Sequence, residues 1–211
     1  MAQTSTSYPV SLSIDYPERP LNRLTSFFRI FTVIPIFIIL ALLAGSNGNQ
    51  ETMVGQWRWE YSAATVFIPL MLMLLFRQKY PRWWFDWNIA LIKFGNRVCA
   101  YLALIRDEYP STDEDQEDHI EIHYPDAERD LHRGMPLVKW LLAIPHYIIL
   151  LFLYIGVMFC VLIAWFAILF TGRYPPGLFD FVVGVLRWSL RVEAYAVLLT
   201  TDRYPPFRRS D

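Results

Sequence analysis

LVKWLLAIPHYIILLFLYIGVMFCVLIAWFAILFT, Leu137–Thr171, is the stretch that decides the fold. It holds one charge, Lys139, near its start. As a single α-helix it would be about 52 Å long, against a hydrocarbon core of about 30 Å. One steeply tilted helix and two short crossings both meet that length. Two crossings fit better: a turn at Tyr154-Ile155-Gly156 leaves arms of roughly 25 and 22 Å, with Trp140 and Arg173 reaching the interface.

Composition points the same way. The chain has 211 residues, 55% hydrophobic and 17% aromatic, with only 18% charged. That is too apolar and too rich in tryptophan for an ordinary soluble domain. The two cysteines, Cys99 and Cys160, lie in apolar surroundings and read as small buried hydrophobes. Met1–Arg23 carries Asp15 and Glu18 and lacks the basic start of a cleavable signal.

The sequence repeats itself. Ser13-Ile14-Asp15-Tyr16-Pro17 and then Glu18-Arg19-Pro20-Leu21-Asn22-Arg23 return as Glu121-Ile122-His123-Tyr124-Pro125 and Glu128-Arg129-Asp130-Leu131-His132-Arg133. Ile34-Pro35 matches Ile144-Pro145, Tyr80-Pro81 matches Tyr174-Pro175, and Phe85-Asp86 matches Phe179-Asp180. Arg97-Val98 with Ala100-Tyr101 matches Arg191-Val192 with Ala194-Tyr195, and each copy closes on Tyr-Pro. Ordered matches at nearly constant spacing indicate two tandem copies, residues 1–112 and 113–211. Copy one carries about sixteen additional residues around Gly45–Glu60, a polar tip ending in the interfacial aromatics Trp57, Trp59 and Tyr61.

The expected architecture is an α-helical integral membrane protein. Each copy has a short strand, a transmembrane helical hairpin and an amphipathic interfacial helix. Val10–Tyr16 and Ile120–Tyr124 alternate as half-buried strands that can pair on the cytoplasmic side. Leu24–Ala44, with Pro35 inside it, is the first crossing, and Ser62–Phe76 returns. Trp83–Ile105 and residues 177–199 carry charges that are costly in lipid, so both read as helices in the interface. A third crossing with its charges paired in a bundle is the alternative. Asp107–Asp130 is an acidic linker with eleven of the twenty carboxylates. With two crossings per copy, all Lys and Arg except Arg58 share one side, which the positive-inside rule makes the cytoplasm.

On a helical wheel Asp86, Lys93 and Arg97 fall on one face, and Asp180, Arg187 and Arg191 repeat that stripe. With Arg23 and Arg133 they are the candidate site. The cations would grip the phosphates of anionic lipids or the acidic groups of a partner; a solvated helix face with local ion pairs is the plainer reading. His119-Ile120-Glu121-Ile122-His123 does not read as a metal site, because on a strand the two histidines stand about 13 Å apart. His146 is a packed or hydrogen-bonded histidine, or a proton relay. Seven tyrosines precede proline, which suits element boundaries at a wet–apolar edge. Walker, nucleophile-elbow, HExxH and CxxC patterns are absent, and neither cofactor nor metal is expected.

The run GRYPPGLFDFVVGVLRWSLRVEAYAVLLTTDRYPPF, with SIDYPERPLNRLTSFFRIF earlier, resembles a family of bacterial membrane proteins known only as a domain of unknown function. The resemblance covers nearly the whole chain, once per repeat. It implies a bacterial inner-membrane location and no established activity. The expected function is therefore a non-enzymatic inner-membrane module that organises lipid or a partner complex as a homo-oligomer or a subunit of a larger assembly, with no nucleic acid involved. A channel or transporter formed between subunits is the alternative. A lipid head-group enzyme at the cytoplasmic interface, using His132, Asp86 or Asp180, is the third reading.

Overall fold

The computed structural model describes residues 8–17, 20–43, 70–111, 118–127, 129 and 131–210. Strand β1 (Val10–Ile14) precedes helix α1 (Arg23–Leu43). Helical residues 70–77 (α2) lead to α3 (Arg82–Leu102), strand β2 (Asp118–Ile122), α4 (Met135–Leu142), α5 (Ile144–Thr171) and α6 (Pro176–Ala196). The expected hairpin tip, Gly45–Glu60, and the first part of the return helix lie outside the described residues.

The turn expected at Tyr154–Gly156 is not there. α5 runs unbroken through it for 28 residues. Gly156 serves close approach instead: a Cβ on it would stand 3.2 Å from the ring of Phe181 on α6. The break falls earlier, at Ala143, where Pro145 lacks the N–H that would bond Leu141. Helical bonding carries across it, with Ala143 N–H donating to Lys139 O and Tyr147 N–H to Ala143 O. Gly172, in the left-handed region, ends α5 as its N–H donates to Ile168 O.

The elements stack in three layers. β1 and β2 pair antiparallel, with Leu12 opposite Ile120, Val10 opposite Ile122 and Ile14 opposite Asp118. A two-stranded ribbon is marginal by itself. Here Val10, Leu12, Ile14 and Ile120 are buried against the helices, each contributing roughly 1.5–3 kcal/mol. The middle layer is α3 and α6; β1 packs on α6 and β2 on α3. The outer layer is α1 with α4 and α5, where α1 packs on α3 and α5, and α4 and α5 pack on α6.

α6 is covered on both sides. Val185, Trp188, Val192 and Tyr195 meet α4 and α5, while Val182, Leu186 and Leu190 join the cluster that holds the strands. Phe179 is buried edge-on against Tyr16 and Tyr174. Cys160 is half-buried, whereas Cys99 is exposed because its neighbours Val98 and Ala100 take the inward positions on α3.

The Tyr-Pro tyrosines tie the layers together. Tyr16 donates to Tyr174 O and Tyr124 donates to Tyr80 O. Tyr80 donates to Leu198 O, Tyr204 to Leu142 O and Tyr8 to Arg203 O. Leu104 and Leu199, in the turns after α3 and α6, take positive φ values of 62° and 54°. Leucine holds that shape at a cost of roughly 1–2 kcal/mol, offset by their burial and by the bonds Ile105 N–H to Ala100 O and Thr200 N–H to Ala194 O.

Gly156→Leu should destabilise the protein by about 1–3 kcal/mol through overpacking, read as a lower melting temperature in detergent. Adding Phe181→Ala should recover part of that loss. A glycine in a solvent-facing turn would show neither effect.

Candidate functional site

α4 and α5 touch the rest of the molecule along one stripe: Lys139, Ala143, His146, Leu150, Ala164 and Ile168 are buried. The spacing is that of one helix face. Most of the remaining circumference is open and apolar, with Phe152 67% exposed, Met158 65% and Phe170 79%. Met135–Thr171 is long and apolar enough to cross a membrane, and only 11% of its most apolar window is buried. α1 adds Leu24, Phe27 and Phe31 to the same outer layer, all exposed. An open apolar face of this extent marks an interaction surface.

Behind this face lie Lys139 and Arg29, both buried. Lys139 has no exposure at all; its Nζ sits 2.7 Å from Asp202 Oδ1, donates to Thr201 O and lies 5.4 Å from the centre of the Tyr195 ring. Asp202 Oδ2 accepts the backbone N–H of His132. Arg29, 2% exposed, pairs with Asp107, donates to Tyr101 O and stacks 4.5 Å over the Tyr101 ring. Asp107 Oδ2 accepts the N–H of Asn22. The rings of Tyr101 and Tyr109 meet edge-on at 5.8 Å, as do those of Tyr195 and Tyr204. Buried charge is tolerable only when paired and hydrogen-bonded in this way.

Sequence reasoning missed both pairs. The signal was present: each base stands five residues before Ile-Pro, and each acid opens Asp-x-Tyr-Pro.

The basic stripe faces away from the outer layer and holds the segments that cover it. Arg187 Nε donates to Leu12 O on β1 at 2.8 Å, and its guanidinium also reaches Arg209 O. Arg191, 2% exposed, donates to Arg208 O and Ser210 O. Arg97 donates to Ser111 O. The C-terminal segment lies so close that a Cβ on Gly184 would meet Arg209 Cβ at 2.9 Å. Asp86 and Asp180 are exposed and Lys93 is half-buried. Asp180 lines a cavity with Arg187 and Arg209. Arg23 is exposed and donates to Phe170 O; Arg133 is exposed. No contact among the described residues joins His132 to Asp86 or Asp180, the groups named with it for an enzyme.

His146 is fully buried, accepts the Trp188 indole N–H at Nδ1 and stacks on Phe207 at 4.1 Å. That bond puts its proton on Nε2. His123 and Glu121 are exposed, and the described residues contain no group of three metal-ligating side chains.

The chain matches one family model, described as Domain of unknown function (DUF4389), over residues 135–208. The similarity takes in α4, α5, α6 and the segment that returns to Lys139. A second match over the first half, expected from the repeat, is not found. No curated protein and no solved structure matches the chain.

Asp202→Ala should strand the Lys139 ammonium and cost about 3–5 kcal/mol. The pair Lys139→Met with Asp202→Asn should cost less than Asp202→Ala alone. Thermal or denaturant melting in detergent reads both, and additive single effects would contradict the coupling.

Proposed function

We propose that this protein is a non-enzymatic module of the bacterial inner membrane. Its outer helices lie in the lipid, and it gathers lipid or a partner protein, as an oligomer. The open apolar face of α4 and α5, continued by α1, carries this reading.

The placement follows from packing. α5, about 42 Å long, lies antiparallel along α6, with Gly156 against Phe181 and His146 against Trp188, and Lys139 of α4 reaches Tyr195. The other side of α6 carries β1 and the C-terminal segment. With α5 upright across the bilayer, the strands and their polar edges would sit at hydrocarbon depth, which lipid does not tolerate. With the outer layer flat, α1, α4 and α5 sink into the acyl region, α3 and α6 run along the boundary, and the strands stand in water. This reading takes the place of the two crossings per copy expected from length, the repeat and the distribution of Lys and Arg. It also keeps Arg23, Lys93 and Arg133 near the cytoplasmic surface, where each basic group contributes about 1 kcal/mol of attraction to anionic lipid.

We further propose that the two halves are tandem copies folded about an approximate two-fold axis. Several matched features support this. Leu12 and Ile120, equivalent in the repeat, pair with each other. Arg29–Asp107 and Lys139–Asp202 repeat one arrangement. The bonds Tyr16 to Tyr174 and Tyr124 to Tyr80 exchange equivalent residues between halves. Gln78 and Gly172, with positive φ, end the equivalent helices.

Cysteine labelling tests the placement. Single cysteines at Arg133 and Arg173, the two ends of α4–α5, should both resist an impermeant maleimide added to intact cells. Both should react in inverted vesicles, while one at Phe159 stays protected throughout. Reaction of one end from each side would show a single crossing and overturn the flat placement.

A further inference from the structure

A polar groove interrupts the apolar outer layer. It has a volume of about 360 Å³ and runs between the first half of α5 and the last turns of α6. Its walls include Leu150 and Val192, and its polar groups are Tyr147, Tyr154, Ser189 and Glu193. Tyr154 and Ser189 share a hydrogen bond. Glu193 is only partly exposed, and its carboxylate has no hydrogen-bond or ion-pair partner among the described residues. None of the described residues that line the groove is basic.

A carboxylate left unpaired among apolar walls is costly. The fold does not need it, because the repeat places Cys99 at the equivalent point of α3. The charge therefore suits a ligand that brings its own cation. The protein already shows how it houses such a group: two residues along α6, the Lys139 ammonium sits by a tyrosine ring, a carboxylate and one further oxygen. The groove offers the same set without a lysine. Tyr147 and Tyr154 are both more than 40% exposed on the lipid-facing layer, so the cation arrives from the lipid side.

We propose that this groove binds a phospholipid through a primary ammonium head group, held by the Glu193 carboxylate and the hydroxyls of Tyr147, Tyr154 and Ser189. The inference rests on the membrane placement proposed above. A primary ammonium has three N–H donors to give to the carboxylate and hydroxyl oxygens, whereas a quaternary ammonium donates none.

Burial raises the Glu193 carboxyl to about 7. The titratable groups of neighbouring elements that interact with it are Tyr147 and Tyr154 of α5 and Cys99 of α3. None of them is a base. Glu193 is thus ionised above pH 7 and loses its charge below it, while the lipid ammonium stays protonated throughout. Retention should be strongest near pH 8 and weaken toward pH 5.5.

Native mass spectrometry of the detergent-solubilised protein tests this, with phosphatidylethanolamine, phosphatidylglycerol and phosphatidylcholine of identical acyl chains as probes. Wild type should retain phosphatidylethanolamine about tenfold better than the other two, and Glu193→Gln should lose that preference, as expected for a charge-assisted contact. The pH dependence of wild type should vanish in the variant. Equal retention of phosphatidylethanolamine by Glu193→Gln and wild type would overturn the site. Equal retention of phosphatidylcholine by wild type would overturn the primary ammonium. The wild-type pH series needs no variant, so a misfolded Glu193→Gln leaves a decisive reading: no weakening by pH 5.5 overturns the proposal. Liposome flotation separates the two readings. Protein that floats while retaining all three lipids equally defeats the groove alone; protein that never floats defeats the membrane placement and the groove with it.

Discussion

A lysine without solvent exposure, on the most apolar segment of the chain, has to meet an acid. Lys139 meets Asp202, and that requirement shapes much of the fold. Asp202 lies beyond the end of α6, so α6 must run back along α5 to bring it there. The same carboxylate accepts the N–H of His132 and so fixes where the chain enters α4. Arg29 and Asp107 impose the equivalent condition on α1 and α3. A surface ion pair would be too weak to dictate such a path. A buried one does so because breaking it leaves a charge with nowhere to go.

Much of this was legible in the chain. Alternation located both strands, and apolar periodicity located α1, α3 and α6 to within a few residues. The self-similarity flagged the tyrosines and the paired stripes. One reading failed for a physical reason. Length argued for a turn near Gly156, but a glycine on an apolar helix signals close approach as readily as a break, and only Phe181 decides between them. The wheel placed Asp180, Arg187 and Arg191 on one face correctly. It could not say what covers that face, because β1 and the C-terminal segment come from opposite ends of the sequence. The buried pairs went unseen because each joins residues far apart, and a single charge at a helix start looks unremarkable alone.

The layered arrangement explains how one chain carries both an apolar face and many charges. Charges gather where backbone carbonyls need donors, around the strands and the segments that leave α3 and α6. Arginines there act as fasteners: Arg97 and Arg191 each hold the segment following their own helix. The outer layer is almost free of charge, so Glu193 at the seam between α5 and α6 stands out against its surroundings.

The pairing of β1 with β2 also sets an order of events during synthesis. β1 leaves the ribosome well before its partner, which follows only after α1, α3 and the acidic linker. Tyr16 waits longer still, for Tyr174. Until then Val10, Leu12 and Ile14 have nothing to cover them, and neither half can close its core alone. Distant pairings of this kind slow folding and expose sticky intermediates. The first half therefore carries the apolar face of β1 uncovered, open to aggregation, until residues 174–210 arrive to lock it.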